Sequence, residues 1–322
     1  MKDRNKTLGQ MKAVWAYLAL YFSVLFLLIT FEDNFSIAEP LFILILIGVG
    51  FSLAAIALTR KALPFDLHSK AINTEITWLL ISLACVLIYL IAGFEYVNSL
   101  FALNAADQTF LSETSTLLQK LFIFVAIPLL IYKLKLNLSP GALGFRFNQF
   151  GSTWKSHMPA LFGMTAMLLV FQFFVGSGAE PFRSGQYSFY QLLIGLPIAM
   201  FWLCIEVGLV EEFFFRTILQ TRLAIYLKSE ISAIILVSLI FGLVHAPGLY
   251  LRGAGTITLA GANPSLLLAV GYSIVILSVT GFFLGIIWMR TRNLPLIVMI
   301  HAATDLLPNF SEIMEFLGLF QH

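Results

Sequence analysis

The chain has 322 residues, of which 59% are hydrophobic and 11% are charged, and its formal net charge at pH 7 is +2. Soluble domains usually contain about 25% charged residues, so this composition excludes an ordinary soluble protein and predicts one that crosses the lipid bilayer several times. The small net charge argues against a nucleic-acid partner. Cys85 and Cys204 lie in separate apolar runs, so we expect neither a disulfide framework nor a cysteine zinc site.

The apolar residues form continuous runs of about twenty residues, which predict membrane-spanning helices rather than the alternating strands of a β-barrel. The predicted spans cover residues 13–31, 40–59, 76–96, 117–133, 158–175, 190–216, 230–246, 265–289 and 294–308. We therefore expect an all-α fold, a polytopic transmembrane bundle of about eight or nine helices. The stretch after Phe310 is too short to assign.

Basic residues are concentrated in every second connection between the predicted spans. Lys2, Arg4 and Lys6 precede the first span, for example, whereas the acidic Glu32 and Asp33 follow it. Cytoplasmic connections carry an excess of Lys and Arg. The alternation therefore predicts a multi-pass protein of the cell membrane whose N-terminus is cytoplasmic.

The chain is expected to have two parts. Residues 1–157 are predicted to form N-terminal transmembrane helices and an interfacial segment, and residues 158–322 a helical core. The interfacial segment, residues 134–157, mixes aromatic with basic side chains and favours either a helix on the membrane surface or an ordinary cytoplasmic loop. Residues 247–264 do not follow a helical pattern, which predicts an outer loop or a re-entrant lid.

Three groups of polar residues interrupt the C-terminal apolar runs. Glu211, Glu212 and Arg216 lie in the sixth span, His245 lies at the end of the seventh, and His301 and Asp305 lie in the ninth. A charged side chain near the bilayer centre costs at least about 2.5 to 3.5 kcal/mol, so such residues indicate a functional site. Glu212 and His245 are nearly equally far from the predicted turn at Ser229, which predicts a similar depth in the membrane for both.

Helical spacing predicts how the acidic group is arranged. Glu212 and Arg216 are four residues apart, so they share a helix face and can form an ion pair. Glu211 is rotated from Glu212 by about 100° and can reach a different partner. Gly208 would let another helix approach closely beside the carboxylates.

The two histidines also have neighbours at helical spacing. Phe241 precedes His245 by one turn, and Asp305 follows His301 by one turn. Pro247 disfavours continuation of the helix, which leaves His245 on the last turn. A carboxylate and two imidazoles in a partly desolvated cleft could activate water for attack on a carbonyl group and stabilise the resulting oxyanion.

The chain resembles the CPBP intramembrane proteases, which include CAAX prenyl endopeptidases and bacteriocin-processing enzymes. Their motifs E-E-x-x-x-R, F-x-x-x-H and H-x-x-x-[ND] are similar to E-E-F-F-F-R at 211–216, F-G-L-V-H at 241–245 and H-A-A-T-D at 301–305. The resemblance covers about residues 190–308. It implies that the helical core, residues 158–322, is catalytic and that its active site lies in a cleft inside the membrane. It implies an intramembrane endopeptidase with no obligatory metal or other cofactor, acting on a membrane-associated protein or peptide, lipidated or not.

The resemblance also implies roles for these residues. Glu211 and His245 would activate the water, and His301 and Asp305 would lie on the oxyanion side. The supporting residues would be Glu212, Arg216 and Phe241. Asp305 stands where the prenyl-protease branch has Asn, and since an ionised Asp cannot donate a hydrogen bond, it would either orient His301 or be protonated.

Other interpretations of the same residues stay open. The carboxylates and histidines could form the proton relay of a proton-coupled transporter, or the chain could be a non-catalytic scaffold or immunity protein. Glu211, His245 and His301 could instead bind a catalytic zinc ion. The acidic group could also be an ion-pair network that only fixes helix register, and Glu206 is expected to be structural or to line the cavity.

Overall fold

The structure is a computed structural model that describes residues 2–33, 35–59, 69, 71–100, 110–136, 152–252 and 264–320. Within these ranges all the regular elements are helices, which confirms the predicted all-α fold. Most of the expected interfacial segment, residues 137–151, lies outside the described residues, so the prediction for it is not tested.

The helices are numbered in chain order. They are α1 (Lys2–Phe31), α2 (Ala38–Leu58), α3 (72–100), α4 (110–136), α5 (Ser152–Val175), α6 (Glu180–Arg183), α7 (Phe189–Leu227), α8 (Glu230–Leu243), α9 (Ala246–Arg252), α10 (Leu266–Thr291) and α11 (Leu294–Phe316). Several contain π-helical stretches, of which Cys204–Leu209 and Phe213–Gln220 flank the acidic group of α7. The helix is continuous there, because Leu203, Val210 and Phe213 all have right-handed helical backbone angles.

Nine stretches of the described residues are long and apolar enough to cross a membrane. They lie in α1 to α5, α7, the pair α8 and α9, α10 and α11, and they correspond to the nine predicted spans. The chain is thus a multi-pass membrane protein. The last span is longer than predicted, because α11 continues through Pro308 to Phe316.

The chain divides into two compact units. The first unit comprises Met1–Ala57, Lys61–Leu83 and Ile218–Arg290, and the second comprises Leu58–Arg60, Ala84–Thr217 and Thr291–His322. Each unit draws on both sides of residue 157, and α7 contributes residues to both. The assignment of catalysis to residues 158–322 stays a prediction.

In the first unit, α8 begins at the turn that the sequence predicts. Lys228 has a left-handed backbone with φ of 53°, and the Ser229 hydroxyl caps α8 by accepting the backbone N–H of Ser232 at 3.2 Å. Further along, α8 packs closely on α10, because a Cβ atom at Gly242 would clash with the Ser273 carbonyl oxygen. This contact holds the end of α8 that leads to His245.

In the second unit, α11 packs against both α5 and α7. Glycines of α7 allow this approach, since a Cβ atom at Gly195 would lie 2.7 Å from the Phe310 ring. Phe310 in turn packs edge-on against Tyr187, with ring centroids 4.9 Å apart. The aromatic contact helps to fix α11 next to the helix that carries the acidic group.

One prediction about the loops was wrong. Residues 247–264 were expected to be non-helical, but Pro247 to Arg252 belong to the short helix α9. Pro247 is the second residue of α9, a position in the first turn where proline is well tolerated because its missing N–H has no helical partner there. Residues 253–263 lie outside the described part of the chain.

Candidate active site

Glu212 is the centre of a charge network between α7 and α11 in the second unit. Its side chain is fully buried, and Oε2 accepts a hydrogen bond from Arg216 Nε at 3.1 Å. Its other oxygen, Oε1, lies 2.7 Å from His301 Nδ1. Because an ionised carboxylate can only accept, Nδ1 carries the hydrogen of this bond. The predicted ion pair of Glu212 with Arg216 is confirmed, and Glu212 also orients the His301 ring.

The second ring nitrogen of His301 faces two further carboxylates. His301 Nε2 lies 4.0 Å from Glu211 Oε2 and 3.7 Å from Asp305 Oδ2. Both distances are longer than a hydrogen bond, but a protonated His301 ring would be attracted to both carboxylates at this range. His301 therefore donates its orienting hydrogen bond to Glu212, whereas the sequence offered Asp305 as the orienting residue.

The network has a buried end and an accessible end. The side chains of Glu212 and Arg216 are 0% exposed, whereas those of Glu211 and Asp305 are 17% and 33% exposed. The structure thus brings together five of the seven predicted site residues, with His301 between the buried and the accessible carboxylates. The side chains of Glu211 and Asp305 thus form the more exposed end of the network.

Gly208 determines how closely α7 and α11 approach beside the acidic group. It is buried, and a Cβ atom added to it would lie 2.6 Å from the Val298 carbonyl oxygen. No real Cβ atom tolerates that distance to a backbone atom, so the helices would have to separate. The close helix approach predicted at Gly208 is confirmed.

Gly208→Ala is expected to lower the free energy of unfolding by about 1 to 3 kcal/mol, as overpacking of a close contact does. Thermal and denaturant unfolding of the purified protein in detergent would measure this loss. Gly50→Ala in α2 is the matched control, because its added Cβ would lie 3.5 Å from the nearest atom. Equal unfolding free energies for the two variants would contradict the tight contact at Gly208.

The residues of this network lie in the part of the chain that matches a known family. Residues 193–307 match the sequence model of the family described as type II CAAX prenyl endopeptidase Rce1-like. Over this region the chain is similar to the Rce1-like family. The match confirms the family resemblance that the three motifs indicated, over almost the same residues. No curated protein and no solved structure matches the chain.

The remaining histidine of the Rce1-like region, His245, belongs to the first unit. It lies in the turn between α8 and α9, just past the end of α8 at Leu243 rather than on its last turn. His245 Nδ1 lies 2.7 Å from the Phe241 carbonyl oxygen, and the centroids of the His245 and Phe241 rings are 5.0 Å apart. Since the carbonyl only accepts, Nδ1 carries a hydrogen and Nε2 of the neutral ring keeps its lone pair.

That tautomer is the one a general base acting through Nε2 requires. Phe241, predicted as a supporting residue, supplies the carbonyl that selects it. The participation of His245 in the site with Glu211 and His301 stays a prediction.

An ion pair that was not predicted joins α4 to α7, the helix that carries the acidic group. Lys120 of α4 pairs with Glu206 of α7, and the Leu121–Ala126 stretch of α4 contacts Val210–Glu212. Pairing lowers the cost of holding both charges inside predicted spans, which agrees with the structural role expected for Glu206. The feature of the sequence that could have indicated this ion pair is Lys120, a lysine inside the fourth predicted span.

Proposed function

We propose that the chain is an intramembrane endopeptidase that hydrolyses a peptide bond of a membrane-associated protein or peptide. Glu211 and His245 take a proton from a water molecule as its oxygen attacks the carbonyl carbon. His301 donates a hydrogen bond from Nε2 to the oxyanion, and Asp305 stabilises the imidazolium charge. The tetrahedral intermediate then collapses, the C–N bond breaks, and the proton taken from water passes to the leaving amine.

The observation that carries this proposal is the unequal environment of the two adjacent carboxylates. Glu212 is fully buried and its oxygens are engaged by Arg216 and His301. Glu211 is partly exposed and lies on the other side of the His301 ring. Glu212 is therefore suited to hold the imidazole in place, and Glu211 to exchange a proton with water.

The orientation of His301 supports its role at the oxyanion. A donor that is fixed before the reaction stabilises developing charge without reorganising during the step. The bond from Nδ1 to Glu212 fixes the ring and directs Nε2 toward the accessible side, where Glu211 and Asp305 lie. A carbonyl group bound on that side would meet both the base and the donor.

Membrane proteomics tests the function directly. Membrane fractions from cells with the parental protein are compared with fractions from cells carrying Glu211→Gln, and peptides whose trimming is lost identify substrates. The control is Glu315→Gln, which alters an exposed glutamate of the same helix as His301. The family name directs attention first to prenylated proteins. Identical peptide profiles in all three cell lines would favour a non-catalytic scaffold.

Chelation separates the proposed mechanism from a zinc protease. Among the described residues, no cluster of three or more His, Cys, Asp or Glu side chains has the arrangement of a metal site. The proposed chemistry is carried by Glu211, His245 and His301 themselves, so we expect cleavage by the purified protein to persist in excess EDTA and in 1,10-phenanthroline. Loss of cleavage that added zinc restores would assign these residues as metal ligands.

A further inference from the structure

Gln172 is a buried amide in an otherwise apolar stretch of α5. Its side chain reaches the backbone of α11 at two points within the second unit. Gln172 Nε2 donates to the Ala303 carbonyl oxygen at 2.6 Å, and Gln172 Oε1 accepts the Leu307 backbone N–H at 3.2 Å. The buried Gln172 side chain thus hydrogen-bonds both ends of one turn of α11, residues 303–307.

The two backbone groups that Gln172 contacts are four residues apart. They are the carbonyl and the N–H that an α-helical hydrogen bond would join. The next residue, Pro308, has no N–H, and a proline ring clashes with the carbonyl of the preceding turn, which weakens or bends a helix at that point. The Gln172 side chain, on another helix, therefore hydrogen-bonds both backbone groups in the turn of α11 that Pro308 weakens.

A second close contact holds the same turn. A Cβ atom at Gly178 would lie 2.6 Å from the Pro308 Cα atom, so the short 3₁₀ helix Ser177–Ala179 lies directly against the proline. Gln172 and Gly178 reach α11 from consecutive parts of the chain. The turn around Pro308 is thus supported from outside at two points.

The supported turn carries the reactive residues of the proposed site. Asp305 lies between the two residues that Gln172 contacts, and His301 lies half a turn before them. The Thr304 hydroxyl donates to the His301 carbonyl oxygen at 2.6 Å, and the Asn309 amide donates to the Asp305 carbonyl oxygen at 2.8 Å. A change in this turn would therefore move the side chains of both His301 and Asp305 relative to Glu211.

We infer that Gln172 is a positioning residue that sets the placement of His301 and Asp305 by bridging the turn of α11 before Pro308. The inference rests on the proposed function for its catalytic consequence. Its structural part, the stabilisation of residues 303–308 by the Gln172 amide, does not depend on that function.

The test compares Gln172→Leu, Gln172→Glu and the control Tyr187→Phe in nanodiscs. Leucine removes both hydrogen bonds, whereas a neutral glutamic acid keeps one donor and one acceptor. Tyr187→Phe also removes a hydrogen bond to α11, the 2.6 Å bond to Ser311, but beyond the bridged turn. Hydrogen exchange of the peptides that cover residues 301–310 gives a readout that requires no substrate.

Gln172→Leu is expected to speed exchange in residues 301–310 and, with a farnesylated peptide ending in Cys-aliphatic-aliphatic-X, to lower kcat by about 10- to 100-fold. KM and exchange elsewhere should stay close to the parental values. Gln172→Glu should recover part of both losses, and Tyr187→Phe should show neither.

Three results would be distinguishable. Unchanged exchange at 301–310 in Gln172→Leu would overturn the bridge itself. Faster exchange with parental kcat would overturn the positioning role. If the parental protein cleaves no substrate while the exchange result holds, the bridge stands and the proposed function fails.

Discussion

Glu211→Gln is expected to lower the rate of peptide-bond cleavage by about 10²- to 10⁴-fold, because the amide cannot take a proton from water. Glutamine keeps the size of the side chain, so the partly exposed position of Glu211 should tolerate it. The measurement is single-turnover cleavage of a membrane-inserted peptide by purified protein, with the fraction of folded enzyme determined in parallel. A large loss of rate at unchanged stability would identify a chemical role for the carboxylate.

The control for this prediction is again Glu315→Gln, which should cleave at the parental rate. If Glu211→Gln also cleaves at the parental rate, Glu211 has no part in the chemistry, and the proposed assignment of the two carboxylates fails. If Glu211→Gln is both inactive and unfolded, Glu211→Asp provides the second variant, since it keeps the charge and shortens the side chain by one methylene.

Glu212→Ala is expected to lower the free energy of unfolding by about 3 to 5 kcal/mol, the usual effect of removing one partner of a buried ion pair. The substitution takes away the carboxylate that lies 3.1 Å from the fully buried Arg216 and 2.7 Å from His301. Both groups would then have to be accommodated without it inside the protein. Denaturant unfolding in mild detergent measures the effect, with transition slopes compared to verify that the unfolded states are similar.

The double variant Glu212→Leu with Arg216→Met is the matched control. Replacing both members of a buried pair by apolar residues is often neutral or stabilising, so the double variant should be clearly more stable than Glu212→Ala. It should still be catalytically impaired, because His301 has lost the partner of Nδ1. A Glu212→Ala protein with parental stability would contradict the central position of Glu212.

Much of the fold could be predicted because a helix that crosses the lipid bilayer needs about twenty consecutive apolar residues. Long apolar runs identified nine spans, and the Ser229 turn followed from the break between two of them. The pairing of Glu212 with Arg216 was predictable because both residues lie on one helix at a fixed spacing. Gly208 was predictable for a similar reason, since a glycine beside buried charges allows a neighbouring helix to approach.

Contacts between helices could not be predicted in the same way. Asp305 is the helical neighbour of His301, so spacing along the chain offered it as the orienting residue. The acceptor of the orienting hydrogen bond is instead Glu212, on another helix. The partners of Lys120 and Gln172 likewise depend on how α4 and α5 pack against α7 and α11. A lysine and a glutamine inside apolar runs were the only local signals, and neither identifies its partner.

The helix after Pro247 shows a different limit. Pro247 was expected to end the helical structure after α8. A proline is also well suited to the first turn of a helix, and Pro247 occupies that position in α9. The sequence pattern alone does not distinguish a proline that ends one helix from a proline that begins another. The short length of α9 leaves little periodicity to reveal it.

The most direct test of the account is cleavage of a farnesylated peptide ending in Cys-aliphatic-aliphatic-X by the purified protein in nanodiscs, in water enriched in ¹⁸O. Mass spectrometry of the products reports the oxygen at the new carboxyl terminus. The account predicts one ¹⁸O atom in that carboxylate with the parental protein and no product with Glu211→Gln. The same labelled product from Glu211→Gln, or a parental product whose new carboxylate carries no ¹⁸O, would contradict it.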